Sequence, residues 1–151
     1  MGNSPSIQKI NFEDMQEAVF EEKNKHAIIN TMSLNKQECL IKQTIPCKKE
    51  TDFINTILKE GYDRGGTTTA DRFPCLFILY GENATDETVY KKYEQLISLG
   101  ITNRNIMIYS GGMFEWLLLQ DIYGDDEFPT TTKELDILKY KGVPAKYYLT
   151  M

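Results

Sequence analysis

Three short apolar runs limit what this chain can fold into: HAIINTM at 26–32, CLFILY at 75–80 and NIMIYS at 105–110. Each has the length of a strand and enough apolar character to need cover on both faces. Helical patterns separate them. Residues 48–60 put Phe53, Ile54, Ile57 and Leu58 on one face, and Gly61 suits the C′ position that ends a helix. A helix starting at Thr85 or Asp86 turns Val89, Tyr93, Leu96 and Ile97 toward a core and closes at Gly100. After NIMIYS, a Gly111-Gly112 turn leads into a helix over about residues 113–123. Strands alternating with helices predict an α/β fold, a mainly parallel sheet of four or five strands with helices on both faces.

The remaining segments fill in around this frame. Residues 1–10 read as a polar leader. Asn11 is placed to cap a helix carrying Phe12, Met15, Ala18 and Val19 on one face, with Asp14 returning the capping hydrogen bond. LIKQTI, 40–45, is a weaker strand candidate, and GYDRGGTTTADRFP, 61–74, reads as an exposed loop. Thr131 and Glu134 have the spacing of a capping box for a last helix reaching about Lys141. One domain over 11–141 with a tail at 142–151 accounts for this order, and 151 residues suffice to bury a core.

Charge and composition remove several classes of function. A formal net charge of −5 argues against nucleic acid, which demands a clustered basic surface. No apolar run approaches the roughly 18 residues of a membrane span, and the N-terminus lacks a signal-peptide core. Three cysteines, Cys39, Cys47 and Cys75, form neither an even framework nor a CxxC pair, and His26 is the one histidine. The expectation is no metal site, no cofactor and a reducing, cytoplasmic setting.

The stretch Tyr109-Ser110-Gly111-Gly112-Met113-Phe114-Glu115-Trp116 has a strand, a Gly-Gly turn and a tryptophan-bearing helix in sequence. With the strand ending at Tyr80 and the helix closing on Leu99-Gly100, it resembles a single rhodanese-like domain over about residues 10–123, most specifically over 75–123. His26 to Met32 resembles the family strand that ends in Asp-x-Arg, but here that place reads Asn30-Thr31-Met32. The resemblance implies a catalytic loop of the kind Cys-x-x-Gly-x-Arg directly after Tyr80. Such a loop needs a thiolate stabilised by backbone N–H groups and a helix N-terminus, a glycine that lets the loop curl, and a cation for the anionic substrate.

Here the loop reads Gly81-Glu82-Asn83-Ala84-Thr85-Asp86. Gly81 stands in the cysteine place, Ala84 in the glycine place and Asp86 in the arginine place, so all three requirements fail together. Glu82, Asp86 and Glu87 would repel an anion, and no basic residue follows before Lys91. Asp86 and Glu87 fit the cap or first turn of a helix, where negative charge is favourable by about 0.3–1 kcal/mol; the other reading is recognition of a cationic partner. Cys75 and Cys47 read as inert small hydrophobes, and His26 as a surface or edge histidine.

MGNSPS matches the N-myristoylation pattern, with Gly2 as the acceptor and Ser6 at the required place. From Gly2 to Lys25 there are three lysines against five acidic residues and no cysteine, so attachment through one acyl chain would be weak and reversible. The sequence therefore leads to a non-catalytic rhodanese-like module that binds a protein partner, with membrane contact through a lipid. Two rivals stand beside it. One is a divergent sulfurtransferase or phosphatase with a displaced cysteine. The other is small-molecule binding in the vacant loop, with the Tyr80 hydroxyl or Asn83 amide as polar contacts.

Overall fold

The computed structural model describes residues 7–21, 25–64 and 75–142. Gly2 and Ser6, most of the 61–74 loop and most of the tail at 142–151 lie outside the described residues. Four parallel strands form the sheet: β1 (Gln8–Ile10), β2 (His26–Asn30), β3 (Leu76–Tyr80) and β4 (Ile106–Tyr109), in the order β1-β4-β3-β2. The three apolar runs are β2, β3 and β4. β1 corrects the sequence reading of residues 1–10 as leader throughout. It is a three-residue edge strand with Gln8 and Lys9 exposed, so it carries no apolar run to reveal it; the Gln8 side-chain amide donates to the Asn103 carbonyl at 2.9 Å.

Alternation along each strand sorts the core into two layers. Ile28, Ile78, Tyr80 and Tyr109 face α1 (Phe12–Phe20) and α4 (Gly112–Tyr123), and share a cluster with Met15, Val19, Met113 and Trp116. Ala27, Ile29, Phe77 and Leu79 face α2 (Cys47–Arg64) and α3 (Thr88–Ser98), with Ile54, Ile57, Val89 and Leu96. The sheet is thus covered on both faces. α1 begins with the expected capping box: the Asp14 N–H donates to Asn11 Oδ1 at 2.9 Å and the Asn11 N–H to Asp14 Oδ2 at 3.2 Å. Trp116 is fully buried, donates its indole N–H to the Pro129 carbonyl at 3.1 Å, and meets the Phe128 ring edge-on.

Other local expectations are corrected. α2 runs through Gly61 to Arg64 instead of ending at the glycine. α3 begins at Thr88, after Thr85 and Asp86, and its Ile97 is 39 % exposed. LIKQTI is not a strand. Gln43 has a φ of +76°, and the segment makes only isolated bridges, Ile28 with Thr44 and Ile41 with Thr130. The helix expected after Thr131 does not form either. The Leu40 N–H donates to the Thr131 hydroxyl oxygen at 3.0 Å and the Thr131 N–H to the Leu40 carbonyl at 2.8 Å. Glu134 does not return a bond to Thr131; its carboxylate pairs with Lys139 and accepts the Asp136 N–H at 3.1 Å. Only a short 3-10 turn, Ile137–Tyr140, remains, and it carries the fully buried Tyr140.

Candidate functional site

The carboxyl ends of β2 and β3 finish level, since Asn30 pairs with Tyr80 in the register. This brings Thr31, the Gly81–Glu87 loop and the start of α4 to one edge, where ligands bind in open α/β sheets. The loop is seated on α4: the Met113 N–H donates to the Gly81 carbonyl at 2.9 Å and the Phe114 N–H to the Glu82 carbonyl at 2.8 Å. Gly112 makes this approach possible. Its φ is +69°, and a Cβ there would lie 2.8 Å from both the Asn83 nitrogen and the Gly81 oxygen. Gly111, with φ of −65°, has no such conformational demand, so one of the two glycines sets the turn.

Gly81 has no side chain, and the space beside it is filled. A Cβ built on Gly81 would meet the Asp86 carboxylate, 2.5 Å from Oδ2 and 2.9 Å from Cγ. That carboxylate is held at both oxygens. Oδ2 accepts from the Glu82 N–H at 2.9 Å, and Oδ1 accepts from the Thr88 N–H at 2.9 Å and the Thr88 hydroxyl at 2.7 Å. Two backbone donors at the start of the loop and of α3, which could otherwise hold an anion, are bonded to the chain's own anion. Glu87 is the N-cap of α3, and Asp86, one residue before it, both accepts the Thr88 N–H at the helix start and closes the turn that leads into it.

The neighbouring groups are also engaged. Asn83 donates its amide to the Tyr140 carbonyl at 2.7 Å, and its oxygen accepts from the Thr85 N–H and hydroxyl. The Tyr80 hydroxyl lies in the core, accepting from the Ile41 N–H at 3.1 Å and sharing a 2.7 Å hydrogen bond with the Thr44 hydroxyl; burial pushes its pKa up. Neither group expected to contact a small molecule is free to do so. Ala84 and Thr85 are exposed.

The end of β2 departs from Asp-x-Arg in a way that the structure explains. Asn30 is buried and forms a paired amide contact with Gln37, at 3.0 and 2.7 Å. Met32, in the arginine place, is core. Thr31 shares a 2.7 Å hydrogen bond with Thr88. A nearby cation, which no local sequence pattern marks, is Lys36: from the short 3-10 turn Leu34–Lys36 it forms an ion pair with Glu82. Lys36 also donates to the Lys139 carbonyl at 3.3 Å and lies over the Tyr140 ring. Glu82 is thus neutralised from within, which weakens the case for the loop as a receptor for a cation, while Glu87 stays exposed.

The cysteines are apart from Gly81 in structure as well. Cys39 is buried and donates to the Thr132 carbonyl. Cys75 stands just before β3, at the end far from the loop, and burial, assisted by Glu60, raises its pKa to about 11. Cys47 departs from the expectation of a packed hydrophobe. It is exposed at the first residue of α2 and lines an open cavity of about 530 Å³ with Thr88, Lys91 and Lys92. His26 starts β2, at the opposite end from the loop. Among the described residues, no group of three or more His, Cys, Asp or Glu side chains could hold a metal ion, and no helix is long and apolar enough to cross a membrane.

No protein-family model and no curated protein matches this sequence. Solved structures do. A yeast protein tyrosine phosphatase of the rhodanese family aligns over 85% of this chain and 94% of its own at a TM-score of 0.51 and 13% identity. The Saccharomyces cerevisiae single-domain sulfurtransferase RDL2 aligns over 84% and 99%, at 0.52 and 18%. The As–Sb reductase from Leishmania major aligns over 96% and 97%, at 0.52 and 14%. The chain has a rhodanese-like fold, and at these identities the likeness speaks for the fold alone.

Proposed function

We propose that this chain is a rhodanese-like module without a working catalytic loop, which acts by binding a protein partner and touches membranes reversibly through an acyl group on Gly2. The observation that carries this reading is the Asp86 carboxylate in the space of the missing side chain at Gly81, fixed by Glu82 and Thr88. Support for a partner surface comes from the two segments that Lys36 ties together. Leu34 is 81 % exposed, Leu135 84 % and Leu138 67 %, and apolar groups left in solvent beside a functional edge are the kind that partners cover. Sulfur transfer from thiosulfate to cyanide by the wild type should not exceed the no-enzyme rate. Gly81→Cys should be equally silent, because its side chain must displace a carboxylate held by three hydrogen bonds and its thiolate would lie against that negative charge. Strong activity in either protein would overturn the reading of the loop. A partner captured by the wild type and lost by a folded Leu135→Glu/Leu138→Glu variant would support the binding role.

One observation favours a second reading, a displaced nucleophile. Cys47 is exposed at a helix start and shares its cavity with two lysines, of which Lys92 pairs with Glu50 at 2.7 Å. Wild-type activity abolished by Cys47→Ser would establish this reading in place of the first.

A further inference from the structure

The groove beside β1 has no role in the proposed loop chemistry. It is an open cavity of about 590 Å³, walled by Ile7, Tyr90, Tyr93, Ile97 and Ile101, with Glu94 among its few charged neighbours. This volume falls within the roughly 300–1,000 Å³ range of small-molecule sites. Its walls come from α3, from the segment after α3, and from Ile7, the first described residue. The wall at Ile7 is pinned in place: β1 is in register with β4, and Gln8 is bonded to Asn103, another residue of the groove.

We propose that this groove holds the acyl chain of N-myristoylated Gly2. The inference rests on the acylation reading given above and deepens it. Five residues lead from Gly2 to Ile7, so the modified nitrogen lies within about 18 Å of a residue that is itself part of the groove wall. The chain thus enters the groove at its own doorstep. The charges agree: with three lysines against five acidic residues up to Lys25, no polybasic run helps the acyl chain onto an anionic membrane, and one chain alone binds lipid marginally. An intramolecular apolar groove is then a strong competitor. The covalent step is ordinary acyl transfer from an acyl-coenzyme A thioester. The Gly2 amine attacks the carbonyl, an amide forms as the C–S bond breaks, and coenzyme A leaves as the thiol with the proton that the amine loses.

Co-expression of the whole chain with an N-myristoyltransferase, beside Gly2→Ala, separates the two levels of the claim. Intact mass reads the acylation; absence of the myristoyl increment overturns the modification and the proposal with it. On modified protein, NMR should show contacts between acyl methylenes and the Ile97 and Ile101 methyl groups within one molecule, and none in Gly2→Ala. Modified protein lacking those contacts overturns the groove while leaving acylation standing. Ile97→Glu, at a position already 39 % exposed, should expel the chain and raise the fraction bound to phosphatidylcholine vesicles about fivefold or more, an order-of-magnitude expectation for loss of a competing apolar site. Equal vesicle binding by both proteins, or contacts between molecules in a dimer, would also overturn it.

Discussion

The three thiols give the chain an internal scale of reactivity. Cys47 is exposed, whereas Cys39 and Cys75 are buried, and Cys75 is also pushed up to about 11. Since the thiolate is the nucleophile, about one Cys75 in a thousand is ionised at pH 8. N-ethylmaleimide at that pH should add once, at Cys47, at least about tenfold faster than at the others, with all three reacting after denaturation. Peptide mapping that found Cys75 labelled first would show that the start of β3 opens in the native state. At this scale the site was partly legible in the sequence. The departures at Gly81, Ala84 and Asp86 are visible as letters, but the role of Asp86 is not. A charge at a helix start and a carboxylate reaching back four residues to the Glu82 N–H give the same letter, and only the loop's curvature separates them. Lys36 was beyond reach, because it meets Glu82 across 46 residues of sequence and no local pattern marks that meeting.

Elements were legible where burial dictates them and misread where a local pattern lacked tertiary support. β2, β3 and β4 are apolar runs that only a covered sheet can accommodate. The helix expected from Thr131 had a plausible cap, but Leu135 and Leu138 remain exposed while Tyr140 is buried, so no continuous apolar stripe exists to hold a helix against the core. LIKQTI failed for a related reason: its backbone is shared between β2 and the segment after Phe128, and it reverses at Gln43. The Gly-Gly turn gives a test at this scale. Gly112→Ala must keep a positive φ and bring a methyl group against backbone atoms that cannot move aside, so it should cost about 1–3 kcal/mol in urea denaturation. In Gly111→Ala the added carbon meets the Glu115 side chain instead. That carboxylate can swing away at the expense of its 2.7 Å bond from the Tyr109 hydroxyl, so this cost should be about 1 kcal/mol. Equal losses would show that the loop does not seat on α4 as described.

At the scale of the whole molecule, three tyrosines in one core layer join parts distant in sequence. Tyr80 links the end of β3 to Ile41 and Thr44, Tyr109 donates to Glu115 on α4, and Tyr140 brings the segment after α4 against the same cluster. Burial raises all three pKa values, that of Tyr140 to about 12 and the others further, whereas an unfolded tyrosine ionises near 10. The sign follows from proton binding. Between about pH 10 and 12 the unfolded chain has lost tyrosine protons that the folded chain retains, so stability falls as pH rises, and it is complete only below about pH 10. The urea midpoint should therefore be constant in this respect up to about pH 9 and drop from there, while Tyr80, Tyr109 and Tyr140 ionise, by tyrosinate absorbance, only as the fold is lost. Tyr80→Phe supplies the control. It removes the acceptor of the buried Ile41 N–H and should cost about 1–3 kcal/mol at neutral pH, and it should shrink the late-ionising group from three to two. If Tyr80, Tyr109 and Tyr140 ionise near pH 10 with the urea midpoint unchanged, these rings are not sealed in the core. The coupling of loop, helix and C-terminal segment through that layer would then be wrong.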